Sequence, residues 1–180
     1  MDTKDRKLRI YESCVETKLL YGLESLWLRQ KERARLDGFH ARCIRRATGV
    51  QHAYYSRVSN LTVLQMAGRR PLTQELLRRQ LVLYGLVAML ADDAPQRRVL
   101  FEPSSLRLVA SQLRRGRGRP RQQWPHSVHS HALRAAGSEG NLAMLLMHER
   151  SAKRWAALAR QYSADLEAQT GGDTAAAASD

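Results

Sequence analysis

Arginine is the chemistry this sequence holds in surplus. Between Pro103 and Pro125, Arg107, Arg114, Arg115, Arg117, Arg119 and Arg121 stand without a single acid among them. A guanidinium grips a phosphate through two parallel N–H bonds, and Gly116 and Gly118 let backbone N–H groups approach the same anion. Trp124 follows directly. It is expected mainly to pack into the helix it precedes, with stacking on a base as the second reading. A second basic surface is expected from Arg42, Arg45 and Arg46 together with Arg69, Arg70, Arg78 and Arg79, paired arginines able to straddle a duplex backbone. The competing reading of both clusters is a solvated charged face.

Other chemistries find less support. On a helix from Pro125, His126 and His129 share a face while His131 lies off it, and no carboxylate or cysteine completes a metal site. Asp92 and Asp93 are adjacent in an expected turn, not converging on a divalent pair as a nuclease or polymerase requires. Ser127 lacks the strand–turn–helix setting of a nucleophile. The segment Gly116-Arg117-Gly118-Arg119 lacks the Lys-Ser/Thr of a nucleotide-binding loop. Cys14 and Cys43 have no metal-ligand spacing and read as two structural thiols of a reducing compartment. Neither a catalytic residue, a cofactor nor a metal is expected.

The charge balance agrees. In 180 residues, 30 Lys+Arg face 17 Asp+Glu, a formal net charge of +13 with pI near 10.6. Hydrophobic residues at 43% exclude collagen, a disulfide scaffold and a wholly disordered chain, and leave a globular protein whose partner is a polyanion. No apolar run reaches the ~20 residues of a membrane span. The first residues lack the apolar core of a signal peptide. An intracellular protein is expected, in the nucleus or the cytoplasm, with no membrane partner.

These side chains must be carried by helices, since strand alternation appears nowhere for more than a few residues. Ile10, Cys14, Val15, Leu19, Leu20 and Leu23 predict a first helix from Asp2 or Thr3 to about Trp27. Leu36, Phe39, Cys43 and Ile44 predict a second over 30–47, stopped at Gly49. After an irregular turn at Tyr54-Tyr55, Ser59 caps a short helix ending at Gly68. A longer one runs from Pro71 or Thr73 to about Leu90, before the stop Asp92-Asp93-Ala94-Pro95. Leu106, Val109 and Leu113 fit one further short helix. Arginine alternating with glycine and proline cannot pack a core, so the rest of that stretch reads as an exposed linker. Pro125 opens another helix to Gly137, and Ser138 introduces two more, over 142–147 and 152–166. The expected organisation is all-α. A helical domain spans 1–102, a basic linker 103–124, a C-terminal helical lobe 125–168 and a disordered tail 169–180.

Six blocks in register carry a resemblance. They are Leu19-Leu20-Tyr21-Gly22-Leu23-Glu24 with Trp27; Phe39-His40 with Arg42-Cys43-Ile44-Arg45 and Thr48-Gly49-Val50; Ser59-Asn60-Leu61 with Leu77-Arg78-Arg79-Gln80-Leu81; Tyr84-Gly85-Leu86-Val87 with Met89; Gly118-Arg119-Pro120-Arg121 with Trp124; and Arg150 with Lys153-Arg154-Trp155. Over about residues 7–160 this order resembles the region after the polymerase palm in non-LTR (LINE-type) retrotransposon reverse transcriptases. The resemblance implies a thumb-like helical bundle and the linker after it, which in that family help hold the template–primer hybrid. The palm with its metal-binding Asp-Asp motif is then expected upstream, in another part of the gene or another chain, and the fragment is expected to have no activity of its own.

The expected function is therefore sequence-independent binding of RNA or DNA backbone. Arg114, Arg115, Arg117, Arg119 and Arg121 would hold phosphates, Arg42, Arg45, Arg46, Arg78 and Arg79 would form the second surface, and Trp124 would be an occasional stacking residue. The alternatives are a helical protein-interaction module, whose apolar faces once met a palm, and a retrotransposon remnant without selected function.

Overall fold

The computed structural model describes residues 3–109 and 124–176, with side chains as far as residue 166. Among these residues the secondary structure is all-α, with one isolated antiparallel bridge between Phe101 and Leu108. The chain divides into two units, Met1–Leu76 and Leu77–Asp180, with the division falling inside a helix.

In the first unit, α1 (Thr3–Tyr11) continues through a π-helical turn (Glu12–Glu16) into α2 (Thr17–Leu20). The helix expected to reach Trp27 stops here. Tyr21 is extended and Gly22 takes φ +75°, a left-handed conformation that costs glycine nothing. Trp27 thereby leaves the helix, and its ring lies under the Arg33 guanidinium at 4.2 Å. Helix α3 (Gln30–Thr48) begins with the Glu32 carboxylate accepting the Arg29 N–H at 2.7 Å, and ends at Gly49. The expected irregular turn is a one-turn helix, α4 (Ala53–Ser56). Ser59 caps α5 (Asn60–Met66) by accepting the Thr62 N–H.

Two apolar clusters hold this unit. Leu8, Tyr11, Ile44, Val63 and Leu64 join α1, α3 and α5. Leu20, Leu36, Leu72 and Leu76 join α2 and α3 to the start of α6 (Leu72–Ala88). Asp37 of α3 accepts both the Thr73 N–H (3.0 Å) and the Thr73 hydroxyl (2.7 Å), so the N-terminus of α6 is capped by a side chain from a different helix.

The second unit forms around the rest of α6. Tyr84 is fully buried, edge-on to Phe101 at 5.3 Å and 6.5 Å from the Trp155 ring. The remaining helices are α7 (Pro95–Leu100), α8 (Trp124–Ala136), α9 (Glu139–Ala143) and α10 (Ala152–Ala176), with a π-helical turn at Met144–His148. Val128, Ala132, Leu142, Leu146 and Ala159 supply fully buried apolar side chains. The backbone of α10 is helical through Ala176, and the last part of the expected tail, 177–180, lies outside the described residues.

Residues 101–109 depart from expectation. The short helix assigned to Leu106 and Val109 is a turn instead. Glu102 donates to Arg107 O and Val109 donates to Leu100 O, closing the chain back on α7, with Leu106 buried beneath. Arg97 directs this. Its buried guanidinium donates to Ala88 O, to Ser105 O at 3.0 Å and to Asp92 Oδ1 at 2.8 Å, tying the ends of α6, α7 and the turn together. Asp92, read from sequence as part of a stop signal, also accepts the Ser104 N–H and hydroxyl. The Ser104 hydroxyl bond first, and Arg97 second, hold its carboxyl below the usual range.

Candidate nucleic-acid interface

The five linker arginines, Arg114, Arg115, Arg117, Arg119 and Arg121, lie outside the described residues. Trp124 is described: it is half-buried in the first turn of α8.

Of the second expected surface, Arg42, Arg45, Arg46, Arg69 and Arg70 belong to the first unit and Arg78 and Arg79 to the second; Arg69 pairs with Glu12 at 2.9 Å and Arg70 is exposed. Arg42 and Arg46 stand one turn apart on α3 and are exposed. Counting 100° per residue, Lys31 and Arg35, also exposed, fall on the same side of the helix, giving a basic ridge of four side chains with no acid along its line. Arg78 and Arg79 are half-buried on the part of α6 that belongs to the second unit.

Arg45 is a correction. It is only 4% exposed, and its guanidinium donates to Gln51 O (3.0 Å), Ser56 Oγ (3.2 Å), Val58 O and Asn60 Oδ1 (3.3 and 3.2 Å). All of these acceptors are neutral. A buried charge persists here because every face of the fork meets a dipole, and the result is a staple across residues 51–60 rather than a phosphate contact. Truncation would take the guanidinium from four acceptors. We expect Arg45→Met to lower unfolding free energy by about 2–4 kcal/mol in urea titration, with Arg42→Met nearly silent; equal, small losses would show that the staple carries no stability.

What Arg45 fastens is a feature the sequence reading passed over. Tyr54 and Tyr55 project from α4 at 71% and 75% exposure, their rings 5.3 Å apart and edge-to-face at 88°. Arg57, in left-handed conformation at φ +55°, sets its guanidinium 5.9 Å from the Tyr54 ring. The signal was present in the sequence: two tyrosines between a helix-ending Gly49 and the Ser59 cap, where no apolar period would bury them.

Of the three histidines weighed for metal, His126 is exposed, and the other two meet tyrosines. His129 Nδ1 meets the Tyr84 hydroxyl at 2.6 Å and His131 Nδ1 the Tyr162 hydroxyl at 2.9 Å; in the first unit His40 Nδ1 meets Tyr11 at 2.8 Å. Among the described residues no group of three His, Cys, Asp or Glu is placed to hold a metal ion. Burial pushes His40 and His129 below the ordinary imidazole value, with Asp37 and Glu139 opposing the shift. The unfolded chain then binds more protons than the folded one below about pH 6.5. Stability is accordingly expected to fall as pH drops from that value through the lowered folded ones. Melting temperature against pH should show the decline in the parent chain and a shallower one in His40→Asn/His129→Asn; identical slopes would assign the acid sensitivity elsewhere.

No described helix is long and apolar enough to cross a membrane. No protein-family model, curated protein or solved structure matches this chain.

Proposed function

We propose that this chain binds the backbone of RNA or DNA without sequence specificity, as the thumb and linker region that its motif order resembles in non-LTR retrotransposon reverse transcriptases. One observation supports this reading most directly: residues 38–74 contain no acid, and within them Arg42 and Arg46 reach solvent from one side of α3. Arg69 in this stretch pairs with Glu12 and Arg45 is buried, but the outward-facing Arg42 and Arg46 have no acid near them in sequence, which favours a polyanionic partner. The linker arginines Arg114, Arg115, Arg117, Arg119 and Arg121 extend the phosphate contacts, with the palm supplied by another chain or another part of the gene. In this reading the chain contributes grip to a template–primer hybrid and no reacting group.

The test is an electrophoretic mobility titration of the whole chain against duplex DNA, single strands and an RNA–DNA hybrid at low salt. All three are expected to shift, and replacing the five linker arginines with alanine is expected to weaken the shift. No shift at low salt, or a shift indifferent to the five substitutions, overturns the proposal.

A further inference from the structure

The linker and α3 arginines explain attraction to a phosphate chain but offer nothing to a base. The loop after α3 does. Tyr54 and Tyr55 are the most exposed aromatic rings next to Tyr21 among the described residues, and they sit on a segment that is fastened from beneath. A ring on a loose loop would lose much of its stacking energy to ordering; here Arg45 has already fixed residues 51–60 by bonding two of their carbonyls, Ser56 and Asn60. His52 tightens the same turn, its Nδ1 accepting the Tyr54 N–H at 3.3 Å.

We propose that the Tyr54–Tyr55 pair is a stacking platform for an unpaired base of single-stranded nucleic acid, with Arg57 taking the adjoining phosphate. The two edge-to-face rings keep most of their surface in solvent, and a base of any identity has a π-face to lay on such a ring. Arg57, exposed, holds its guanidinium over the Tyr54 ring, and the acid-free stretch of sequence around it makes the approach of a phosphate favourable. A paired base is hidden in its stack, so the platform discriminates strand state rather than sequence. The inference rests on the nucleic-acid reading above and deepens it: it names single strands as the ligand of this surface.

Fluorescence anisotropy of the full chain with a labelled oligo-dT, an abasic strand of the same length and a labelled duplex separates the possibilities. Tyr54→Ala/Tyr55→Ala removes two solvent-facing rings and leaves the Arg45 staple intact. It is expected to weaken oligo-dT binding by about 10- to 100-fold while duplex and abasic-strand affinities stay unchanged. Tyr54→Phe/Tyr55→Phe is expected to bind like the parent, because the ring and not the hydroxyl does the stacking. Oligo-dT affinity untouched by the alanine pair, or lost equally for abasic strand and duplex, overturns the platform while the backbone-binding function stands. A parent chain that binds none of the three at low salt overturns that function itself.

Discussion

Gly85→Ala is expected to destabilise the second unit by about 3 kcal/mol or more, against the ordinary gain of about 1 kcal/mol that alanine brings to a helix interior. Gly85 lies within α6, and a Cβ built on it would meet the Trp155 indole at 2.1 Å, far inside van der Waals contact. The indole has no room to yield. Trp155 is 1% exposed, and its Nε1–H donates to Leu81 O at 2.6 Å, one turn earlier on the same helix. That bond uses a carbonyl in the turn just before Gly85, so the absence of a side chain is what lets the two helices come together over the indole. Trp155→Ala alone is expected to cost about 3–5 kcal/mol, the range for emptying a large aromatic site. The decisive measurement is the cycle in urea. In the Trp155→Ala background, Gly85→Ala should turn from strongly destabilising to neutral or stabilising, since the clash is gone and only helix propensity remains. A loss of equal size in both backgrounds would mean that the indole is not what requires glycine there.

The sequence carried the local punctuation well and the long-range pairing poorly. Helix ends at Gly49 and Gly137 and the serine caps at 59 and 138 were legible because each depends on one residue's own conformation or on a neighbour three positions away. Gly22 was misread for the opposite reason. It sits inside an apolar run, Leu19, Leu20 and Leu23, whose spacing carries a helical period straight across it. The turn at 101–109 was illegible, because the buried Arg97 that builds it takes partners from both sides of the loop. Among Arg42, Arg45 and Arg46 the sequence offers three like residues within five positions, yet only one is buried. The buried side of α3 is set by Leu36, His40, Ala41 and Ile44, and Arg45 follows Ala41 by one turn while its neighbours in the trio point away. Charge said nothing of this; helical phase does. The site was thus half readable: the basic ridge as composition and the exposed tyrosines as a break in apolar period, but the Arg45 staple that holds them only from the fold.

Binding to duplex DNA is expected to fall steeply with salt, and the steepness counts the contacts. Each phosphate neutralised releases condensed counterions, which lowers log K by about 0.9 per decade of salt on duplex and about 0.7 on single strand. Five linker arginines each holding one phosphate then contribute a slope of about −4.5 on duplex, so a fourfold rise in salt costs about 500-fold in affinity. The same rise costs about 100-fold on a single strand, whose lower charge density condenses fewer ions. Replacing Arg114, Arg115, Arg117, Arg119 and Arg121 with alanine should remove that part of the slope. The residue left over belongs to the ridge with Arg42 and Arg46, and Arg42→Ala/Arg46→Ala should remove about two contacts more. Arg45→Met should leave the slope alone in chains that remain folded, because its guanidinium is spent on Gln51, Ser56, Val58 and Asn60. A slope near zero in the parent, or a slope that Arg45→Met flattens as much as the linker substitutions do, would contradict this division between arginines that face outward to phosphate and an arginine that holds the loop.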